Sequence, residues 1–264
     1  MKSINKSLIF TVLVTFSLLM LSSCEEFEGE GENVIVNKSV SDFSKIAINL
    51  PCQVYIEYDS VQSLSIDGQS NMIDNMNIEV LSNKLRIAFE REVDNYNPIT
   101  LRITMPELRE LQANDDNVIS ISSNTTMGSN LRIEATGNVS IDITDTTRCL
   151  NFYYEGSGTS TLNYDYLVCE DFNYKVTGID ESTIKGECLK STITVEGEST
   201  FEGFGLISAS TTLDISGTSN TTNVYATEEL NANVDGNATV RYKGAPTTVD
   251  YSDSSGNLDI AAAE

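Results

Sequence analysis

Between Leu131 and Gly244, apolar and polar residues alternate in short runs, each followed by a glycine. The runs read Leu131-Arg-Ile-Glu-Ala, Leu150-Asn-Phe-Tyr-Tyr, Phe172-Asn-Tyr-Lys-Val, Thr192-Ile-Thr-Val, Leu213-Asp-Ile-Ser and Leu230-Asn-Ala-Asn-Val. Alternation at a period of two marks a strand with one buried face. The glycines Gly137, Gly156, Gly178, Gly197, Gly217 and Gly236 are separated by 19, 22, 19, 20 and 19 residues. A fixed period of this size predicts stacked repeats. Glycine suits the corners, because it takes positive φ without the steric penalty of a Cβ. A hairpin meander would place turn signals every 8–12 residues or so. Here they come half as often, so several short strands share each coil. The pattern predicts an all-β chain folded as a single-stranded, right-handed parallel β-helix of about 20-residue coils. An antiparallel sandwich or barrel is the competing arrangement.

Before the repeats, strand signals fall at Lys45–Leu50, Gln53–Tyr58, Ser63–Asp67, Lys84–Phe89 and Ile99–Met105, with a short helix or turn at Gln69–Asn75. Pro51, Pro98 and Pro106 sit at the edges of these runs, where a missing N–H is tolerated. No linker separates the halves, so residues 34–260 read as one domain with irregular N-terminal coils. Cys149, Cys169 and Cys188 are spaced 20 and 19 apart, which stacks them in one column. Neighbouring coils lie about 4.8 Å apart, within reach of a disulfide. Three thiols leave one over whichever pair closes, which favours a ladder of free, buried thiols. Zinc lacks a fourth ligand and any histidine.

The N-terminus reads as an address. Lys2 and Lys6 precede an apolar run from Leu8 to Leu21, short for a membrane span and right for a signal peptide. The run ends Leu21-Ser22-Ser23-Cys24, which resembles a bacterial lipobox and makes residues 1–23 a signal peptide with lipid attached at Cys24. Acyl chains such as palmitate at that cysteine would anchor the protein to a membrane. Residues 24–33, rich in glutamate and broken by glycine, read as a self-repelling acidic tether. The acidic run also resembles the surface-export signal of Bacteroidetes-type lipoproteins, implying an outer-membrane lipoprotein exposed at the cell surface.

The chain carries 16 basic and 39 acidic residues and no histidine, a net charge of −23. Without residues 1–23 the balance is 14 − 39 = −25. That charge disfavours nucleic acid and anionic lipid surfaces as partners. It permits calcium without pointing to it, and no cofactor is expected. The missing histidine excludes Ser-His-Asp and Cys-His catalysis, and no phosphate-binding glycine loop occurs. Carboxylate pairs such as Asp115/Asp116 and Asp180/Glu181 are available for glycoside chemistry. Among so many acids they read as solvated corners. Arg132, Lys175 and Lys185 are candidate proton acceptors for a lyase. Tyr153, Tyr154, Tyr164, Tyr166 and Tyr174 cluster over two coils and form the candidate ligand platform, set against an ordinary core-and-surface role. Asp145-Thr146-Thr147 resembles a bacterial O-glycosylation site. The Asn-x-Ser/Thr triplets at Asn37, Asn124, Asn138, Asn220 and Asn237 reflect Asn/Ser/Thr-rich corners.

Three stretches carry a family resemblance: Ser63-Leu-Ser-Ile-Asp-Gly-Gln-Ser-Asn-Met-Ile-Asp-Asn-Met-Asn-Ile-Glu-Val, Asn83-Lys-Leu-Arg-Ile-Ala-Phe, and Ile99-Thr-Leu-Arg-Ile-Thr-Met-Pro-Glu-Leu. Followed by glycine-marked repeats, they resemble the autotransporter-adhesin head (GIN) domain family over residues 34–260. Asp115-Asp116 departs from the family pattern, which carries a glycine there. The resemblance implies an exported, often lipid-anchored β-helical protein. The resulting expectation is a surface-displayed, lipid-anchored binding or adhesion module without catalytic activity, taking a polysaccharide or protein ligand. The alternatives are a calcium-dependent carbohydrate-active enzyme and an envelope structural or sensing module. Uncapped β-helix ends would allow end-to-end homo-oligomers.

Overall fold

The computed structural model describes residues 27–122, 126–254 and 257–263, so Cys24 and Asn124 lie outside the described residues. Alternating runs become strands where expected: β1 (Asn33–Lys38), β2 (Lys45–Asn49), β3 (Cys52–Tyr58) and β4 (Ser63–Gln69) precede the short helix α1 (Ser70–Asp74). β5 (Met76–Leu81), β6 (Lys84–Phe89), β7 (Thr100–Met105) and β8 (Glu107–Ser122) follow. β9 (Thr126–Arg148) and β10 (Asn151–Lys243) are long ribbons that wind back over themselves, and β11 (Thr248–Asp253) and β12 (Asn257–Ala262) close the sheet. The result is a parallel β-solenoid of about seven turns with coils of about 21 residues.

The repeat glycines stack corner on corner. Asp115 pairs with Gly137, and Gly137 with Gly158. Gly178, Gly197, Gly217 and Gly236 continue the column, each placed so that an added Cβ would collide with the carbonyl oxygen of the glycine one coil earlier. All six glycines have positive φ. Gly156, expected in this column, is not part of it. It points inward beside Tyr154, where a Cβ would lie 2.6 Å from Ser160 Oγ. The true corner spacings are 21, 20, 19, 20 and 19. The departure at Asp115 is resolved: this aspartate itself adopts positive φ (72°) and turns the corner.

Inward positions form aromatic and aliphatic columns. Phe152 stacks on Phe172 with centroids 5.5 Å apart, and Tyr154 on Tyr174 at 5.2 Å. Such stacking adds to the burial of large apolar area. Cys149, Cys169 and Cys188 are free thiols near one corner, the ladder expected from their spacing. Burial pushes Cys149 up to about 12. A hydrogen bond with Cys188, together with burial, pushes Cys169 up as well.

The first coils do not stack in chain order. β2 pairs in parallel with β8 on one side and β6 on the other, and β3 lies likewise between β8 and β7. The β2–β3 coil is thus inserted between the β6–β7 coil and the repeats. Beyond it, β5 runs antiparallel to β6, β4 antiparallel to β7, and β1 antiparallel to β4. The β5–β6 hairpin turns through Ser82 and Asn83, both at positive φ, the two-residue turn whose twist suits paired strands. These antiparallel strands and α1 cover the N-terminal end, so the expectation of two uncapped ends is corrected there. At the other end, Tyr251 of β11 pairs with the inward-facing, buried Ala232, yet is 61% exposed.

The acidic run is not wholly a free tether. Phe27 bridges Val93, and the Arg91 guanidinium lies over its ring at 4.4 Å. Asn71 of α1 donates to Glu28 O and accepts from Glu30 N, while Gln69 donates to Gly31 O. Backbone groups thus hold residues 27–31 to the capped end, although their carboxylates repel one another.

Candidate functional site

The five tyrosines of the expected platform separate. In Asn151-Phe152-Tyr153-Tyr154, adjacent side chains of one strand must face opposite sides. Tyr154, Tyr164 and Tyr174 point into the core at 1–2% exposure. Tyr153 and Tyr166 face outward, but on strands separated by the Gly158 corner and by a register shift between Tyr164 and Tyr166. They therefore share no surface. Tyr166 instead donates a 2.8 Å hydrogen bond to Glu187.

The carboxylate pair Asp180/Glu181 also divides. Asp180, expected at a solvated corner, is 4% exposed and lies within the solenoid. Its carboxyl accepts from Ser160 Oγ at 2.7 Å, Ser182 Oγ at 3.2 Å and the Tyr174 hydroxyl. Burial raises its pKa, and the three hydroxyl bonds offset part of that rise. The Ser182 hydroxyl in turn accepts from Leu162 N at 3.0 Å, tying the cluster to the ladder. The group is a structural network closed to substrates. Arg132 is engaged by Glu134 and Glu155, and Lys175 lies 3.7 Å from Glu196. Among the described residues no three Cys, Asp or Glu side chains converge as a metal cage.

An open cleft of about 490 Å³ lies on the outward face of β3, β4 and β7. Parallel pairing sets Tyr55 directly beside Arg102 and Glu57 beside Thr104. Antiparallel pairing brings Ser65 to the other side of Arg102 and Ser63 beside Thr104. The Arg102 guanidinium carbon sits 5.1 Å from the Tyr55 ring centroid, a cation–π contact. Tyr55 remains 39% exposed. Among the described residues Arg102, like Arg86, Arg91 and Arg148, makes no ion pair, whereas Arg109, Arg132 and Arg241 are each held by carboxylates. Thr104 Oγ1 lies 2.8 Å from Ser63 Oγ and donates to Val61 O. A second cleft, of about 390 Å³ near β11, is lined by Asp214, Asp250 and asparagines, and would repel an anion. The Tyr55–Arg102 cleft was invisible in the sequence. Its residues lie 47 positions apart, and only the out-of-order stacking of the first coils joins them.

The chain matches a family described as "Putative auto-transporter adhesin, head GIN domain" over residues 42–246. It is similar to the crystal structure of a "putative adhesin" from Parabacteroides merdae, with a TM-score of 0.81 and 17% identity, covering 89% of this chain and 99% of that one. A "putative adhesin" from Bacteroides fragilis gives a TM-score of 0.67 and 20% identity, covering 90% and 100%. A "Putative lipid binding protein" from Parabacteroides distasonis gives 0.63 and 19%, again covering 90% and 100%. No curated protein matches the chain.

Proposed function

The chain belongs to the auto-transporter adhesin head GIN domain family, and from that premise we propose that it is a lipid-anchored, cell-surface binding module without catalytic activity. The observation that carries this reading is the open Tyr55–Arg102 cleft, an uncommitted cation and aromatic face on a rigid outward surface. Its supports are the names of the similar structures, adhesins and a lipid-binding protein, and the fate of three of the catalytic candidates. Asp180 is sealed in the core, and Arg132 and Lys175 are paired with glutamates.

Attachment through Cys24 would also orient the rod. Cys24 lies three positions before Phe27, which is docked beside the capped end. Three extended residues reach about 10 Å. An acylated Cys24 therefore holds the capped end close to the bilayer and directs the last coil outward. The domain stands on its own base rather than on a long tether.

Adhesion itself is the test. Cells expressing the wild type would be retained on immobilised glycans and matrix proteins, and cells expressing Cys24→Ala would not. Equal retention of both would overturn the reading.

A further inference from the structure

We propose that the cleft between β3, β4 and β7 binds a single hexuronic acid residue of an otherwise neutral polysaccharide. This deepens the binding-module reading and rests on it. Charge is the first pointer. Among the described residues Arg102 forms no ion pair, as is also true of Arg86, Arg91 and Arg148, and it lines an open cleft in a chain of 39 acids and 16 bases. Arg102 lies instead on the ring of Tyr55. A guanidinium over an aromatic face keeps its in-plane N–H groups available, and their fork matches a carboxylate.

Glu57 then narrows the ligand. It stands two residues beyond Tyr55 on the same face and pairs with Thr104, so it is diagonal to Arg102. Strand spacing and rise put the two side chains roughly 8 Å apart at their bases, and they form no ion pair. The cleft thus offers one cation and, one sugar's breadth away, one carboxylate that can only accept hydrogen bonds. A matching ligand carries a single anionic group at one end and hydroxyl donors at the other. A hexuronic acid has both. A phosphate or a heavily sulfated chain would place charge against Glu57 and against the net charge of −23. Ser63 and Ser65 supply hydroxyls along the wall, and the exposed part of the Tyr55 ring offers an apolar surface for sugar C–H groups.

The experiment titrates the purified full chain with galacturonic acid and with neutral galactose at fixed ionic strength, reading NMR shifts and calorimetric heat. Arg102→Gln and Tyr55→Ala are run beside the wild type, with thermal unfolding as the check on folding. Both side chains face solvent, so the melting temperatures should agree with the wild type. Galacturonic acid should bind at least about tenfold more tightly than galactose, and Arg102→Gln should lose about tenfold to a hundredfold. Tyr55→Ala should weaken both sugars. Equal affinity for the two sugars, an unchanged Arg102→Gln, or no uronate binding at all would overturn the proposal. If the subsite fails while anchored cells still adhere, the binding-module reading stands. If uronate binds but cells fail to adhere, that reading falls and the subsite remains.

Discussion

Among single residues, the corners carry the sharpest consequences. Gly197 sits at positive φ directly over the Gly178 carbonyl, so a side chain there meets both backbone strain and a collision. Gly197→Ala is expected to destabilise by about 1–3 kcal/mol. Asp115 heads the same column, but the coil before it turns through Leu50 and Pro51 rather than a glycine, because Asn49 pairs with Asn114 and Cys52 with Asn117. Its left-handed backbone is already accommodated. In Asp115→Gly, relief of that strain and the added chain entropy of glycine nearly offset, so stability should stay within about 1 kcal/mol of wild type. Urea unfolding of the two variants checks the contrast, and equal losses would contradict the column.

Between strands and coils, neighbours meet outside through ladders of polar side chains and inside through one buried acid. Asn151 donates to Asn130 at 2.6 Å, Asn163 to Asp142 at 2.8 Å and Asn223 to Glu202 at 2.7 Å, each to a residue 21 positions earlier. Within the core, Asp180 links adjacent coils through Ser160. Its pKa lies above the ordinary 3.8, chiefly through burial, so the folded chain keeps this proton to higher pH than the unfolded chain does. Stability from this group is therefore greatest below 3.8 and is lost as pH rises through the raised folded value. Asp180→Asn removes that loss. Its stability relative to wild type should rise between pH 4 and pH 7 in urea unfolding, and a difference constant with pH would contradict the assignment. The repeats were legible because strand period, corner glycine and coil length all repeat in Leu131–Gly244. Gly156 misled only because it lies two residues from Gly158. The platform tyrosines misled because sequence clustering ignores the side each residue of a strand must face. The first coils were legible as strands and illegible as a stack. Nothing local to Lys45–Tyr58 records that it inserts between Lys84–Met105 and the repeats, since that pairing is decided by long-range apolar registers such as Ile46 with Leu85 and Leu111.

Over the full length of the solenoid, the two ends differ. Antiparallel strands, α1 and the docked Phe27–Gly31 segment cover one end, and the last described coil leaves Tyr251 open at the other. A lipid on Cys24 would place the covered end at the membrane and the Tyr55–Arg102 cleft on a side wall facing the surroundings. The net charge, −25 without residues 1–23, would also repel the chain from anionic headgroups, so the proposed lipid on Cys24 would be its hold on a bilayer. The most direct test of this arrangement is an epitope appended after Glu264 and stained with antibody on intact cells, beside the same tagged chain carrying Cys24→Ala. Intact wild-type cells are expected to stain brightly, and the Cys24→Ala cells to lose that staining. Staining that appears only after the envelope is permeabilised would contradict it.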